Sequence, residues 1–333
     1  MKAIIPVAGA GTRLRPLTYT QPKALIPVAG KPLLGFLIEQ LQELGVDEFI
    51  FVIGYLGDKI ENYVNEKHPN LKAHFALQTY REGLGHAIWT ASEFVKNNEE
   101  IIILLGDTII DADFKTALKD EHSTLAVKKV DDPRTFGVAE FDGNGFIDKV
   151  VEKPLFPKSN MALVGFYRIK ESAALFKALD DLMEEKTDGE EIHLTDALQK
   201  MIEQGIKFTG FRASHWYDLG KREVLLETNA MMLKKLGIAS KNLPEYENTI
   251  IIHPVSIAEG TKISNSIIGP NVTIGESADI HYSILKNSII GNFTRLDQVI
   301  LQNSIIGSDA MVKAATQSLN IGDNTEIDLS GAL

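Results

Sequence analysis

The chain has 333 residues, a length that favours two domains, and its composition, 44% hydrophobic and 24% charged, is typical of a folded globular protein. Its formal net charge of −11 argues against a general binder of nucleic acid or anionic membranes, because the protein's field would repel a polyanion. The absence of cysteine excludes disulfides, thiolate metal sites and thiol nucleophiles. No apolar stretch approaches the ~18 residues of a membrane span and no signal peptide pattern is present, so we expect a cytoplasmic protein.

Short β-branched segments alternate with amphipathic helical patterns from residue 1 to about residue 240. In chain order these are strand KAIIPVA, helix KPLLGFLIEQLQELG, strand EFIFVIG, helix GDKIENYVNEKH, strand KAHFALQ, helix GHAIWTASEFVKN and strand EIIILLGD. Strands separated by helices predict a parallel sheet with helices on both faces. Ligands bind at the carboxyl ends of such strands, so the opening loop, YREGLG and GDTII should line one cleft.

The pattern of apolar and turn residues changes after about residue 250, where helical patterns end and pairs of apolar residues recur between turn residues. NSIIG occurs at 265–269, 287–291 and 303–307. A repeat of about six residues predicts a parallel β-helix in which each coil stacks on the last. An irregular β-sandwich is the alternative, but it does not explain three identical copies.

The loop after the first strand begins GAGTRL. Gly9, Gly11 and Thr12 let the backbone approach a ligand and point N–H groups at phosphate oxygens. A dinucleotide site would instead need a third glycine where Leu14 stands and a helix opening at once, which the prolines of this loop prevent. The remaining alternative is a solvated surface loop in which the glycines serve only for turning.

This loop is basic within an acidic chain, since it carries Arg13, Arg15 and Lys23. Grouped cations beside a glycine-containing loop favour a site that handles pyrophosphate.

The motifs GAGTRLRPLT, PKALIPVAGKP, QTYREGLGHA, LLGDTI, FGVAEFD, VVEKP, NMALVGFY and HWYDLG follow one another in this order. Together they resemble the signature of the sugar-1-phosphate nucleotidyltransferases over nearly the whole chain. One departure is Ala8, which stands where many relatives have a first glycine. The resemblance implies a Rossmann-like mixed-sheet α/β domain over residues 1–240, a linker over 241–250 and a left-handed hexapeptide-repeat β-helix over 251–333.

The resemblance also implies a Mg²⁺ site and a set of binding residues. Asp107 and Asp218 would be the metal ligands, and two carboxylates suit this hard cation; unaided, Asp107 could equally cap a following helix. Arg13 and Lys23 would cradle the triphosphate, with Arg13 favouring the departing pyrophosphate. The implied catalytic residues are Arg13, Lys23, Asp107, Lys153 and Asp218. The implied nucleotide-binding residues are Ala8, Gly9, Gly11, Thr12, Arg13, Gln78 and Gly83. The implied sugar-phosphate-binding residues are Gly137, Glu152, Lys153 and Gly165.

Each sugar-side residue also has a purely structural interpretation. Glu152 and Lys153 could form a surface ion pair, and Gly137 and Gly165 could be β-bulge glycines.

Base choice rests on Gln78, whose amide offers a donor and an acceptor that match the N3–H and O4 of thymine or uracil. By resemblance, this glutamine and a backbone group of Gly83 pair with a pyrimidine. The expected reaction joins dTTP or UTP to a hexose 1-phosphate, with glucose 1-phosphate as the default and the mannose and N-acetylglucosamine 1-phosphates left open.

Alternative functions are those of a mannose-1-phosphate guanylyltransferase, a bifunctional enzyme whose β-helix transfers an acyl group, and a catalytically silent homologue. We also expect a homo-oligomer that binds neither nucleic acid nor membrane.

Overall fold

The computed structural model describes residues 1–96, 98–187, 189–237 and 243–314. The chain forms two compact units, Met1–Met232 and Leu233–Leu333. The first two residues of the predicted linker over 241–250 and the last part of the predicted β-helix, residues 315–333, lie outside the described residues.

The first unit is built on one large mixed sheet. Its strands are β1 (Lys2–Pro6), β2 (Pro27–Val28), β3 (Lys31–Pro32), β4 (Glu48–Ile53), β5 (Lys72–Leu77), β6 (Ile101–Leu104), β7 (Thr108–Ala112), β8 (Ser123–Lys129), β9 (Gly137–Phe141), β10 (Phe146–Glu152), β11 (Met161–Ile169) and β12 (Phe208–Asp218). The order across the sheet is β5-β4-β1-β6-β11-β8-β12-β10-β9, with β7 paired to β12 and β2 paired only to β3.

The expectation of an all-parallel sheet is correct for one half only. Strands β5, β4, β1 and β6 are parallel neighbours, whereas β11 runs antiparallel to both β6 and β8. The sheet is mixed, as the family resemblance implied. The parallel half is buried, as the fully buried Ile4, Ile50 and Ile103 show, and near-continuous apolar strands are typical of such sheets.

The helices are α1 (Leu33–Glu43), α2 (Gly57–Lys67), α3 (Gly83–Trp89), α4 (Phe114–Ala117), α5 (Ser172–Glu185), α6 (Leu194–Glu203) and α7 (Arg222–Lys235). The pattern GHAIWTASEFVKN does not form one helix, because α3 ends at Trp89 and a separate 3₁₀ turn covers Ser92–Phe94. The Thr90 hydroxyl donates to the Ala87 carbonyl, a local bond that competes with helix continuation. Within the described ranges, none of the helices has the length and apolar character to cross a membrane.

The second unit contains three parallel sheets that the chain visits in turn. Its strands are β13 (Ile250–Ile251), β14 (Val255–Ile257), β15 (Lys262–Ser264), β16 (Ile267–Ile268), β17 (Val272–Ile274), β18 (Asp279–His281), β19 (Ile284–Lys286), β20 (Ile289–Ile290), β21 (Arg295–Asp297), β22 (Ile300–Gln302), β23 (Ile305–Ile306) and β24 (Met311–Lys313). The sheets are β13-β16-β19-β22, β14-β17-β20-β23 and β15-β18-β21-β24. This pattern is consistent with a parallel β-helix of three-sided coils. Inward apolar side chains such as Ile263, Ile280 and Leu296 form its core.

The repeated NSIIG has a structural explanation in this unit. Its asparagines, Asn265, Asn287 and Asn303, all have φ between 44° and 50°, a left-handed conformation that asparagine tolerates at a coil corner. The following serine links neighbouring coils, since the Ser266 hydroxyl accepts from Ser283 N–H at 3.1 Å and donates to the Ser264 carbonyl. The first copy lies on a different sheet from the other two, so the imperfect period reflects one extra side of a coil.

Candidate active site

The loop after β1 folds into short 3₁₀ turns, Thr12–Leu14, Leu17–Tyr19 and Lys23–Leu25. Gly11 has φ +59°, and its carbonyl accepts from the Thr18 hydroxyl at 2.7 Å. A Cβ at Gly11 would lie 2.8 Å from the Thr18 methyl carbon, so glycine is needed here for both conformation and space.

Ala8 is accommodated by a glycine on the neighbouring strand end. A Cβ at Gly54 would lie 2.9 Å from the Ala8 Cβ, so the alanine methyl occupies space that Gly54 leaves open. The departure from a first glycine in this loop is therefore matched by a glycine opposite it.

The loops that follow β1, β5 and β6 line a cavity of about 510 Å³. All seven predicted nucleotide-binding residues contribute to its wall, together with Lys23, Asp107 and Asp218. The wall also includes Arg81, Leu84, Glu191 and Gly220. The sequence prediction that three loops share one rim is thus matched by the structure.

A second cavity of about 310 Å³ adjoins the first. Its wall includes Gly137, Glu152 and Lys153 from the predicted sugar-phosphate set. The two cavities share Leu84, Leu105, Asp107 and Asp218, so both carboxylates stand where the cavities meet.

Lys23 lies between these two carboxylates. Its Nζ donates to Asp107 Oδ2 at 2.7 Å and lies 4.0 Å from Asp218 Oδ1. Asp218 also accepts from the backbone N–H of Gly220 at 3.0 Å, and the Leu219 N–H donates to the Asp107 carbonyl. Asp107 precedes a strand, which excludes the alternative that it caps a following helix.

Asp107 and Asp218 could supply two of the oxygen ligands that a hard cation such as Mg²⁺ requires. No group of three or more His, Asp or Glu side chains that could hold a metal occurs in the parts of the chain that the structure describes. Magnesium usually keeps several waters and binds through one or two carboxylates plus substrate phosphates. Asp107 and Asp218 therefore fit a site whose remaining ligands come from water and substrate.

The second cavity combines hydroxyl and carboxylate groups. Glu152 Oε2 accepts from the Thr195 hydroxyl at 3.1 Å, and Lys153 Nζ lies 3.4 Å from Glu152 Oε1. Tyr167 also lines this cavity, and burial raises the pKa of its hydroxyl, so that group stays protonated. A Cβ at Gly137 would lie 2.9 Å from the Thr195 methyl and 3.2 Å from Glu152 Oε2.

Gly165 does not line either cavity. It has φ +94° and sits where the β11–β8 register shifts, as the bulge interpretation requires. Its carbonyl accepts from the Leu105 N–H, and a Cβ there would lie 2.9 Å from the Leu105 side chain. Its direct sugar contact remains a prediction, while its position against Leu105 supports the cavity wall indirectly.

Several lining residues were missed by sequence reasoning. They come from EIHLTDAL and from aromatic positions inside the motifs FGVAEFD and HWYDLG, and they are Glu191, His193, Thr195, Phe136 and Trp216. Trp216 donates from its indole N–H to the Thr108 hydroxyl at 2.8 Å, next to Asp107. Of HWYDLG, only the aspartate was considered in the sequence analysis, although Trp216 lies in the same motif and could have been predicted to line the site.

A family model described as nucleotidyl transferase matches residues 2–235. The chain belongs to the nucleotidyl transferase family. This confirms the resemblance drawn from the motifs and identifies the protein as a nucleotidyltransferase.

Relatives of this transferase carry several names. Glucose-1-phosphate thymidylyltransferase of Streptomyces griseus is 29% identical over an alignment that spans 99% of this chain and 100% of that protein. Bifunctional protein GlmU of Methanocaldococcus jannaschii is 37% identical over 266 residues, which are 78% of this chain but 61% of that protein. The transferase thus spans about three fifths of the length of this GlmU relative. A solved UDP-glucose pyrophosphorylase complexed with UDP-glucose is 28% identical with a TM-score of 0.61, covering 70% of this chain and 98% of that one.

Proposed function

We propose that this transferase joins dTTP or UTP to a hexose 1-phosphate, with glucose 1-phosphate as the first candidate, and releases pyrophosphate. One observation carries the proposal: two adjoining cavities meet at Asp107 and Asp218, with Lys23 between the carboxylates. Such a junction is where a nucleotide α-phosphate and a sugar phosphate would have to meet.

The proposed reaction is an in-line displacement in which an oxygen of the sugar phosphate attacks the α-phosphorus and pyrophosphate leaves. No covalent enzyme intermediate is required, so positioning and charge neutralisation carry catalysis. Arg13 and Lys23 would bind the triphosphate, while Lys153 would hold the sugar phosphate and Glu152 would accept from sugar hydroxyls. Asp107 and Asp218 would hold Mg²⁺, which when bound neutralises charge on the phosphate oxygens.

The choice of a pyrimidine rests on the amide of Gln78. Its Nε2 donates to the Gly83 carbonyl at 3.1 Å, which leaves Oε1 as the atom that can accept from a base. Thymine and uracil present an N3–H donor at this edge. The relatives named for thymidylyl transfer and for UDP-glucose support the same pair of nucleotides and a glucose substrate.

The C-terminal unit, by this proposal, is the hexapeptide-repeat β-helix and serves self-association. The GlmU relatives are named bifunctional, but their match covers too little of their length to bring a second activity to this chain.

A substrate matrix tests the proposal. Purified full-length protein is assayed for pyrophosphate release with each of dTTP, UTP, CTP, GTP and ATP against glucose, mannose and N-acetylglucosamine 1-phosphates, with and without Mg²⁺. We expect the highest kcat/KM for dTTP or UTP with glucose 1-phosphate. A wild-type preference for GTP with mannose 1-phosphate would contradict the proposal, and so would absence of turnover with every pair.

A further inference from the structure

The amide orientation of Gln78 determines which pyrimidine the first cavity can accept. This side chain is 8% exposed, and its donor end is used by the Gly83 carbonyl. The free oxygen can accept from the N3–H of uracil or thymine, whereas cytosine has an unprotonated N3 that would face it. A flipped amide would place Oε1 against the Gly83 carbonyl, so the position of that carbonyl holds the orientation.

The backbone on both sides of Gly83 is hydrogen-bonded to Ile192, which comes from another part of the chain. The Gly85 N–H donates to the Ile192 carbonyl at 2.7 Å, and the Ile192 N–H donates to the Glu82 carbonyl at 2.8 Å. A Cβ at position 83 would overlap the Ile192 carbonyl, so the two backbones are in direct contact. The loop that reads the base is therefore pinned on both sides of Gly83.

A charged pair joins the same two segments through side chains. Lys186 Nζ lies 2.5 Å from Glu82 Oε1, and the Lys186 side chain is only 12% exposed. The hydrogen bond from Lys186 lowers the pKa of the Glu82 carboxyl, so the pair is ionised at neutral pH. Lys186 directly follows helix α5, which gives the pair a firm anchor.

The buried His86, on helix α3, contacts three residues of the same loop. Its Nδ1 lies 3.1 Å from the Tyr80 carbonyl and 3.3 Å from Gln78 Nε2, and Glu82 Oε2 is 3.7 Å away. If Nδ1 is protonated it donates to Tyr80, and if it is not it accepts from Gln78. Either bond restrains the loop that Glu82 anchors.

We propose that Glu82 and Lys186 form a positioning pair for base selection, which fixes Gly83 so that Gln78 accepts uracil or thymine and rejects cytosine. This inference rests on the proposed function, because it assigns a support to the base reader of that site. Neither residue touches the nucleotide in this assignment.

The test compares nucleotide selectivity in matched lysine variants of the full chain. K186M removes the charge but keeps most of the aliphatic stem. K2M does the same at another pair, Lys2 with Glu99 at 2.7 Å, where the lysine side chain is 13% exposed; Lys2 lies at the amino end of β1, at the opposite edge of the sheet from the base loop. We expect K186M to lower the UTP-to-CTP ratio of kcat/KM about fivefold or more, whereas K2M keeps the wild-type ratio. The charge-swapped variant E82K/K186E should recover most of the ratio.

A general loss of structure would lower kcat/KM for UTP and CTP together and leave their ratio unchanged. An unchanged ratio in K186M, with UTP turnover still measurable, overturns the positioning role while leaving the proposed function intact. Failure of wild-type protein to use UTP or dTTP with any sugar phosphate overturns both. If K186M does not fold, E82Q carries the same expectation with a smaller change in the ratio, and an unchanged ratio there overturns the inference.

Discussion

The two aspartates at the cavity junction are the residues on which the proposed chemistry depends. Both face Lys23 Nζ, at 2.7 and 4.0 Å, and Asp218 is further held by the Gly220 N–H. A carboxylate so restrained keeps its position while its charge faces the cavity.

We expect D107N and D218N each to lower kcat about a hundredfold or more, because charge is lost while volume is kept. Pyrophosphate release across a Mg²⁺ titration measures this, with D58N on helix α2 as the control. Chelation with EDTA should abolish wild-type turnover, and added Mg²⁺ should restore it. Near-normal turnover of both variants would contradict the metal assignment.

Gln78 is the second residue whose chemistry can be isolated. Replacing it with Glu sets a carboxylate against the Gly83 carbonyl, where the amide now donates, and removes that hydrogen bond. We expect Q78E to lose about 2–3 kcal/mol in kcat/KM with both UTP and dTTP and less with GTP. Steady-state kinetics measures the loss, and Q204E, at an exposed position after α6, serves as the control. Equal losses with all three nucleotides would show that the glutamine does not read the base.

At the scale of elements, helix α3 begins at Gly83, at the end of the loop that we propose reads the base. Gly83 has φ +95° and contacts the Ile192 backbone, so its conformation and its lack of a Cβ are both required. This close approach couples α3 to the segment that leads into α6.

We therefore expect G83A to destabilise the protein by about 1–3 kcal/mol and to raise the KM for UTP. The control is G143A, because a Cβ at Gly143 would meet nothing within 4 Å. Denaturant unfolding followed by kinetics distinguishes the two variants. A G83A protein as stable as G143A would show that the loop can relax away from Ile192.

At the scale of the whole molecule, the second unit has a column of isoleucines on the outer side of one sheet. Ile250, Ile284 and Ile300 are 60%, 40% and 79% exposed and are aligned by the strand register. In-register apolar side chains on an exposed face favour a covering partner. A second copy of the same chain is the most economical one.

We expect the full chain to form a homo-oligomer and a truncation after Glu247 to form a smaller assembly that keeps transferase activity, because the catalytic set precedes the cut. Light scattering and pyrophosphate release measure the two parts. A monomeric full-length protein would contradict the association. A soluble but inactive truncation would show instead that the C-terminal unit is needed to complete the site.

The sequence by itself determined the elements whose patterns are local. Sequence periodicity predicts the apolar strands β1, β4, β5 and β6 and the helices α1 and α2. The NSIIG repeat predicts the coils, because the asparagine of each copy adopts the same left-handed conformation at a coil corner. That three loops line one cavity was predictable because the carboxyl ends of parallel strands lie at the same edge of a sheet.

Only the tertiary structure decided what depends on contacts between distant segments. The antiparallel direction of β11 leaves no local mark, since a strand's alternation is the same in either direction. Likewise Thr195, Trp216 and Lys186 acquire their positions only when segments up to about a hundred residues apart pack together. Side-chain partners across such separations are set by packing, which one stretch of sequence does not encode.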